Sequence, residues 1–191
     1  MQQLLRGKKR LPGFKGKWET VELRDVFDYV QPTAFLVDST NYSDDYNTPV
    51  LTAGKTFILG YTNEEDGIFS DLPVVIFDDF TTDSRFVDFP FKVKSSAMKI
   101  LKAKDRYNIV FAFAVMQQIQ YTIGGHERHW ISKFSNLTID TPSIEEQQAI
   151  ANIISVLDRE IELLQQDLEQ EKQKKKALMQ LLLTGIVRVS T

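Results

Sequence analysis

The clearest pattern in the chain is an apolar stripe near its C-terminus that advances in alternating steps of four and three residues. Pro142 and the capping box Ser143-x-x-Glu146 precede the stripe and predict a helix start, because both side chains can accept hydrogen bonds from free amides there. Neither Pro nor Gly follows before Gly185, where the helix is predicted to end. The stripe turns polar at Glu171 and Lys175, and its apolar members are Ile150, Ile154, Leu157, Ile161, Leu164, Leu168, Leu178 and Leu182.

This stripe predicts a coiled coil. A helix of about 41 residues is roughly 60 Å long at ~1.5 Å per residue, which is too long for a small domain to cover. A seam with heptad spacing packs on another long helix, and the chain contains no second long heptad pattern. We therefore expect the partner helix to come from another chain. The alternative is that the helix folds back on its own domain.

Shorter patterns predict a mixed α/β (α+β) domain in the middle of the chain. Apolar and β-branched runs predict strands at 49–52, 72–77, 86–93, 96–103, 130–134 and 137–139. Helical spacing of Ile109, Phe113 and Met116 predicts an amphipathic helix over 105–121, for which a strand is the alternative. The predicted organisation is a basic tail of a preceding helix or linker (1–17), the domain (18–141), the long spacer helix (142–185) and a short tail (186–191).

The two ends of the chain resemble each other. Residues 1–11 align without gaps with residues 179–189, and Met, Gln, Leu, Leu, Gly and Arg recur at matching positions. This repetition predicts one period of a two-unit array that begins inside the tail of a preceding helix. The alternative is a chance similarity between two leucine-rich segments.

Charge is segregated along the chain although the net charge is only −3. Residues 24–84 carry twelve acids against two bases, whereas residues 85–133 carry nine bases against three acids. Such segregation favours one basic face that suits nucleic acid, and the alternative is merely a solvated surface. The absence of cysteine excludes disulfides and thiolate metal sites. With no apolar run of membrane-spanning length and a polar N-terminus, we expect a cytoplasmic protein without a membrane partner.

Catalytic chemistry is poorly represented. Asp78, Asp79 and Asp83 follow a predicted strand, as in Mg²⁺-dependent nucleases, but no Glu-x-Lys of nuclease type accompanies them, and a solvated turn is the favoured interpretation. His126 and His129 lack a third metal ligand at a recognisable spacing. We therefore predict that the chain is not an enzyme and holds neither metal nor cofactor.

Candidate DNA contacts lie in polar segments between the predicted strands. The segment 124–133 places a guanidinium, two imidazoles and an ammonium after two glycines. Arginine can form two hydrogen bonds with the O6 and N7 atoms of guanine, and lysine can bind phosphate. Serine and threonine hydroxyls near Lys94 and Arg85 add donors of the same kind. The predicted DNA contacts are Thr52, Lys55, Thr81, Thr82, Arg85, Lys92, Ser95, Ser96, His126, Arg128, His129 and Lys133.

The order of short motifs resembles one repeat of the specificity subunit of type I restriction–modification systems, over essentially the whole chain. The motifs run Leu11-Pro-Gly-Phe14, Trp18-Glu-x-x-x-Leu23, Pro49-Val-Leu-Thr-Ala-Gly54, Val75-Ile-Phe-Asp-Asp-Phe80, Ser95-Ser96, Pro142-Ser-x-x-Glu-Gln147-x-x-Ile150, Leu157-Asp158-x-x-Ile161 and Met179-x-x-Leu-Leu-x-Gly185. The helix-start motif at Pro142 is the most specific of these, and the Trp18-Glu19 motif is weaker.

The resemblance implies a role in reading double-stranded DNA for an enzyme that lies elsewhere. Such subunits normally carry two target-recognition domains and two long helices that pair antiparallel as a spacer, and each domain reads half of a bipartite site. Methyltransferase subunits, which use S-adenosylmethionine, dock outside, and a restriction subunit joins them. This chain has one domain and one helix, so the resemblance implies a half-subunit that forms a two-fold homodimer and reads an inverted repeat. A spacer of roughly 60 Å corresponds to about 17–18 base pairs as an upper bound. Shared phosphate contacts imply weak DNA binding by the chain alone.

Overall fold

The computed structural model describes residues 1–52, 56–121 and 129–186, which fall into two compact units, Met1–Ala151 and Asn152–Thr191. The first unit is a mixed α/β domain, and the second continues the long C-terminal helix, which confirms the predicted fold class. The elements in chain order are α1 (Gln2–Leu5), β1 (Glu19–Glu22), α2 (Leu23–Val26), β2 (Phe27–Val30), β3 (Thr48–Leu51), β4 (Ile58–Thr62), β5 (Val74–Asp78), β6 (Ser84–Val87), β7 (Lys92–Val93), β8 (Met98–Ala103), α3 (Ile109–Met116), α4 (His129–Ser132), β9 (Thr138–Thr141) and α5 (Ile144–Leu183), with 3₁₀ turns at Pro32–Phe35 and Phe134–Asn136.

A four-stranded antiparallel sheet of order β2-β8-β5-β6 forms the centre of the first unit. All five residues of β5 are buried, so this strand is covered on both faces, as its continuous apolar run predicts. A second sheet of order β4-β3-β7 contains the antiparallel pair β3–β4 and the parallel pair β3–β7. A third, two-stranded sheet pairs β1 with β9.

The main core lies between the two larger sheets. Val74 and Ile76 of β5 pack there with Leu51 of β3 and Val93 of β7, and all four side chains are buried. The opposite face of β5 presents Phe77, whose ring lies 5.1 Å from that of Trp130 and 4.8 Å from that of Phe134 (centroid distances). Because successive side chains of a strand point to opposite faces, β5 contributes both to the main core and to the aromatic cluster of Phe77, Trp130 and Phe134.

The predicted helix over 105–121 is shorter in the structure because its start is fixed by a cap. The Asn108 side chain accepts hydrogen bonds from the backbone amides of Val110 and Phe111, and α3 ends at Met116. Asparagine is a preferred residue at this position because its side-chain oxygen accepts from otherwise free amides. The backbone amide of Asn108 in turn donates to Gln147 Oε1 at 2.9 Å.

The long helix begins at Ile144, next to Ser143 and Glu146, but these two residues do not form the predicted capping box. The Glu146 carboxylate is buried and accepts hydrogen bonds from Arg10 Nε at 2.6 Å and from Arg10 Nη2, so it does not reach back to Ser143. The Ser143 side chain instead bonds to the carboxylate of Glu145, and this hydrogen bond holds the pKa of Glu145 below its ordinary value.

The apolar stripe of α5 is buried only at its beginning. Ile150 and Ile154 are 1% and 9% exposed. Every residue from 155 to 186 is exposed, including Leu157, Ile161, Leu164, Leu168, Leu178 and Leu182. None of the described helices combines the length and the apolar composition that a bilayer crossing requires.

Several predicted strands differ from the structure. The run 86–93 is divided between β6 and β7, which belong to different sheets, because the chain leaves the first sheet after Val87. The run 130–134 is α4 and a 3₁₀ turn rather than a strand, since Trp130 and Phe134 use helical spacing to reach Phe77. Strands β1, β2 and β4 and the short helix α2 were not predicted.

Candidate functional site

The turn between β5 and β6 is built around the buried carboxylate of Asp78. This carboxylate accepts hydrogen bonds from the backbone amide of Phe80 at 2.9 Å and from the Thr81 hydroxyl at 2.7 Å. The amide of Thr82 donates to the Asp78 carbonyl at 2.9 Å, and Thr82 has φ of 60°. A β-branched residue with this φ is a genuine outlier, so the turn holds its two threonines in one defined geometry.

The next residue, Asp79, joins three parts of the domain. Its Oδ2 lies 3.3 Å from Nζ of Lys99 on β8, and both side chains are at least 98% buried. Its Oδ1 accepts from the backbone amide of Trp130 at 2.8 Å, and its carbonyl accepts from the amide of His129 at 3.0 Å. A buried carboxylate thus fixes the start of α4 at the same end of the four-stranded sheet as the β5–β6 turn.

A second turn, over Lys94–Ala97, lies beside the first. The backbone amide of Asp79 donates to the Ala97 carbonyl at 3.1 Å, and the Ser95 hydroxyl accepts from the Ala97 amide. The amide of Lys94 donates to the Leu51 carbonyl, which brings Thr52 to the same region. Thr52 is half-buried and its amide donates to the Phe57 carbonyl at 2.9 Å.

Two exposed cations lie over aromatic rings in this region. The Arg85 guanidinium is 5.0 Å from the ring centroid of Phe57, and the Lys94 ammonium is 5.9 Å from that of Tyr42. A cation over a ring face keeps its charge and its outward donors while losing much of its rotational freedom. We call six hydroxyl-bearing and basic residues of this region the turn surface. Thr81, Arg85, Lys94 and Ser96 are exposed, and Thr82 and Ser95 are half-buried.

Burial removes two of the predicted DNA contacts from this surface. Lys92 is 3% exposed, and its ammonium donates to the Asp66 carbonyl at 2.7 Å and pairs with Glu64 at 2.6 Å. His129 is fully buried, with its Nδ1 atom 3.4 Å from the Tyr121 hydroxyl. Neither side chain presents a donor to a ligand outside the domain, so the prediction that they contact DNA is corrected here.

Glu64 is held in its charged form by the contacts around it. Burial alone would raise the pKa of Glu64, but hydrogen bonds from Lys92 and from the backbone amides of Ser39 and Asp38 outweigh this effect and hold the pKa below its ordinary value. The Lys92–Glu64 pair therefore ties β7 to the segments before β3 and after β4.

The remaining predicted contacts fall into two groups. Lys133 is exposed, directly after α4, and its backbone amide donates to the His129 carbonyl at 3.1 Å. Lys55, His126 and Arg128 lie outside the described residues. Where they sit relative to the turn surface stays a prediction.

The alternative Mg²⁺ site does not form among the described residues. Asp78 and Asp79 are buried and engaged in the contacts above, whereas Asp83 is exposed. Across residues 1–52, 56–121 and 129–186, no three His, Asp or Glu side chains lie where they could hold a metal ion. The favoured description of this segment as a solvated turn is also wrong for its first two carboxylates, which stabilise the fold from inside.

Sequence reasoning missed Lys94 and the aromatic partners of the exposed cations. Arg85 and Phe57 are 28 positions apart in the chain, and Lys94 and Tyr42 are 52 positions apart. The first pair joins β6 to the segment before β4, which belongs to a different sheet, and the second joins the residue after β7 to the segment before β3. No pattern among neighbouring residues in the sequence predicts such a contact.

Comparison with known proteins identifies the family. The family model described as the type I restriction modification DNA specificity domain matches residues 15–173. The chain belongs to this family. A type I restriction enzyme EcoR124I/EcoR124II specificity subunit from Escherichia coli is 44% identical over 161 residues, which cover 79% of this chain and 39% of that protein. A putative type I restriction enzyme MjaX specificity subunit from Methanocaldococcus jannaschii is 29% identical over 163 residues, covering 82% and 36%.

Solved structures of the same class share the fold. A type I restriction–modification S subunit from M. genitalium aligns with a TM-score of 0.62 at 18% identity, over 85% of this chain and 45% of that one. A chain from a structural study of complex assembly and conformational transition in a type I R-M system aligns with a TM-score of 0.55 at 14% identity, over 93% and 49%. The chain spans less than half the length of these relatives. Specificity subunits are the non-catalytic DNA-recognition components of such systems, and the prediction that this chain is not an enzyme agrees with its family.

Proposed function

We propose that this chain reads one half of a bipartite DNA site for a type I restriction–modification complex. Two copies would pair through α5 and present two domains to an inverted repeat. The observation that carries this proposal is the exposed apolar stripe of α5, in which six leucine and isoleucine side chains between residues 157 and 182 are each at least 40% exposed. Burying a side chain of this kind contributes about 1.5–3 kcal/mol, so an uncovered stripe of this length favours pairing with a second helix.

The turn surface is the part of the domain that we expect to meet DNA. Its cations and serine hydroxyls are small or rigidly held donors at one end of a packed sheet, which suits close approach to a groove and to phosphates. The Thr81 hydroxyl donates to Asp78 and can therefore offer DNA only an acceptor. The strained Thr82 supports this assignment, because such strain is retained chiefly where function requires it. Thr52 and Lys133 adjoin this region and complete the proposed set from the described residues.

Methyltransferase subunits, with S-adenosylmethionine as their methyl donor, are the expected enzymatic partners, and a restriction subunit is expected to join them. The paired helices would set the gap between the half-sites. Two copies related by a two-fold axis would read the same half-site in opposite orientations, so the site should be palindromic.

Co-expression with the cognate methyltransferase subunit, followed by genome-wide mapping of modified bases, tests the proposal. We expect modification at one inverted repeat with a fixed gap. Arg85→Ala should change the preferred base at one position per half-site or weaken modification about 5- to 150-fold, the range that corresponds to losing one base contact of about 1–3 kcal/mol. Lys174→Ala, at an exposed ion pair on α5, is the matched control and should leave the site unchanged.

The rival function is a coiled-coil scaffold that does not read sequence. Replacing residues 18–141 with the corresponding domain of another member of the family distinguishes the two. A new modified half-site supports the proposal, whereas an unchanged site in the presence of the foreign domain contradicts it.

A further inference from the structure

Two segments at opposite ends of the chain fold into the same local structure. We call Met1–Gly7 the N-terminal turn and Met179–Gly185 the C-terminal turn. The amide of the sixth residue donates to the carbonyl of the second in both, Arg6 to Gln2 at 3.2 Å and Thr184 to Gln180 at 3.0 Å. The amide of the closing glycine donates to the leucine three residues earlier at 3.1 and 3.2 Å, and Gly7 and Gly185 have φ of 64° and 72°.

The surroundings of the two turns differ sharply. Leu5 of the N-terminal turn is 5% exposed, whereas its equivalent Leu183 is 83% exposed. A Cβ on Gly7 would come within 3.2 Å of the Trp18 ring, whereas a Cβ on Gly185 would meet no atom within 4 Å. One turn is therefore packed against the domain, and the other presents the same leucine to solvent.

The N-terminal turn packs on a surface that we call the slot, formed by Trp18 and α3. The Trp18 and Phe111 rings meet edge to face with centroids 6.1 Å apart, and α1 contacts α3. Arg10, three residues beyond the turn, lies over the Trp18 ring at 5.5 Å and pairs with Glu146 at the start of α5. The cap of α3 also bonds to α5, through Asn108 and Gln147. The slot thus lies beside the first turns of the long helix.

Differences between the two turns fall on positions that do not face the slot. Gln3 and Arg6, which correspond to Leu181 and Thr184, are exposed in the packed turn. The positions that are buried or half-buried there, Leu4, Leu5 and Gly7, are Leu, Leu and Gly in the C-terminal turn as well. The C-terminal turn therefore carries the side chains that the slot accepts.

We propose that the slot binds the C-terminal turn of a second copy of this chain and that the N-terminal turn competes for the same surface. This inference rests on the two-copy assembly proposed above. Two antiparallel helices of equal length place the end of each beside the beginning of the other, and the slot lies at that beginning. Leu182 and Leu183 would become buried there, and the displaced N-terminal turn would move to solvent.

Site-specific crosslinking tests the competition, because the chain has no cysteine and one introduced thiol is therefore unique. Leu183→Cys in the full chain is labelled with a maleimide benzophenone, and isotopically light and heavy chains are mixed so that links between copies are recognised by mass. We expect light–heavy links from position 183 to Trp18 or α3. A label on Leu168→Cys, in the middle of the stripe, should link only to α5 and serves as the matched control.

Weakening the competing turn should strengthen the signal. Leu5→Asp removes the buried leucine of the N-terminal turn, and the yield of the link from position 183 to the slot should rise by about tenfold or more, as expected for the lost burial of one leucine. Leu5→Ala is a milder second variant, for use if the aspartate disturbs folding. We expect it to change the yield in the same direction.

Sedimentation of the same samples separates this inference from the proposed dimer. Dimers whose position 183 links only to α5, or links only within one copy, would overturn the proposed exchange and leave the dimer standing. Monomers at every concentration, without links to the slot, would overturn both.

Discussion

Replacing Lys99 by methionine probes the buried ion pair at the base of the turn surface. The Lys99 and Asp79 side chains are 2% and 1% exposed, and their charged atoms lie 3.3 Å apart. Methionine keeps most of the apolar stem of lysine, so the change removes chiefly the charge. Leaving one partner of a buried pair uncompensated costs about 3–5 kcal/mol. Because domains of this size are stable by about 5–15 kcal/mol, the variant should lose a substantial part of its stability and melt about 6–20 °C lower.

The double variant Asp79→Asn/Lys99→Met makes this prediction specific to the pair. Asparagine keeps the Oδ1 atom that accepts from the Trp130 amide at 2.8 Å, so it removes the charge without breaking that hydrogen bond. The double variant should therefore regain stability to within about 1–2 kcal/mol of the unmodified chain, since two neutral groups replace two buried charges. Equilibrium urea unfolding, followed by tryptophan fluorescence, measures both changes.

A surface pair provides the control for this experiment. Lys102 pairs with Asp71 at the surface, and Lys102→Met should cost at most about 1 kcal/mol. If Lys99→Met also costs less than about 1 kcal/mol, or if the effects of the two substitutions at 79 and 99 simply add, the pair does not exist as described.

The remaining predictions concern the helix, the strained turn, pH and salt. Leu157→Glu combined with Leu164→Glu should convert dimers to monomers in analytical ultracentrifugation, and unchanged dimers would place the interface elsewhere. Thr82→Gly should relieve strain at φ of 60° and stabilise the domain by about 1 kcal/mol in urea unfolding, while equal or lower stability would show that the strain is compensated. Glu64→Gln should destabilise the domain at pH 7, because the pKa of Glu64 is lowered in the folded state. The difference in unfolding free energy between the variant and the unmodified chain should shrink as pH falls below about 4.3 and vanish below the folded pKa. A difference that does not depend on pH would refute the role of the Glu64 charge. On a duplex too short for more than one domain, log K against log salt should have a slope near −2, as expected for two phosphate contacts by Lys94 and Lys133 while Arg85 meets a base.

Local sequence patterns correctly predicted those helices and strands whose side chains are buried or exposed in a regular way along the whole element. The run Val74–Asp78 is buried on both faces, so its composition alone specifies a central strand. The long helix was predicted in full because its stripe, its start near Ser143 and its end near Gly185 are all encoded in neighbouring residues. The strand over 130–134 failed because the same aromatic residues suit a strand face and a helix face, and only contact with Phe77 selects the helix.

The candidate site was predictable in part, and burial decided which part. Composition marks Lys92 and His129 as polar and therefore as possible ligand contacts, yet both are buried. Lys92 pairs with Glu64, 28 positions before it, and His129 contacts Tyr121. Conversely, the Lys94 ammonium is held over the ring of Tyr42, which lies 52 positions before it in the sequence. Strand pairing sets the surroundings of Lys92 and Lys94, and the bond from the His129 amide to the Asp79 carbonyl sets the position of His129. These contacts join residues that are distant in the sequence, so no window of neighbouring residues contains that information.

Burial and pairing also explain why a basic segment yields a modest surface for DNA. Among the described bases between residues 85 and 133, Lys92 and Lys99 are neutralised inside the domain, and Lys102, Lys104 and Arg106 lie beside surface carboxylates. Arg85 and Lys94 make no ion pair with any described residue and lie instead over aromatic rings. Nonspecific affinity grows with the number of phosphates that a protein neutralises. The three cations of the proposed DNA surface among the described residues, Arg85, Lys94 and Lys133, therefore support only weak binding in physiological salt by themselves. Tight binding would then require further cations, from residues outside the described ranges or from partner subunits, and the second source agrees with the proposal that the chain acts within a complex.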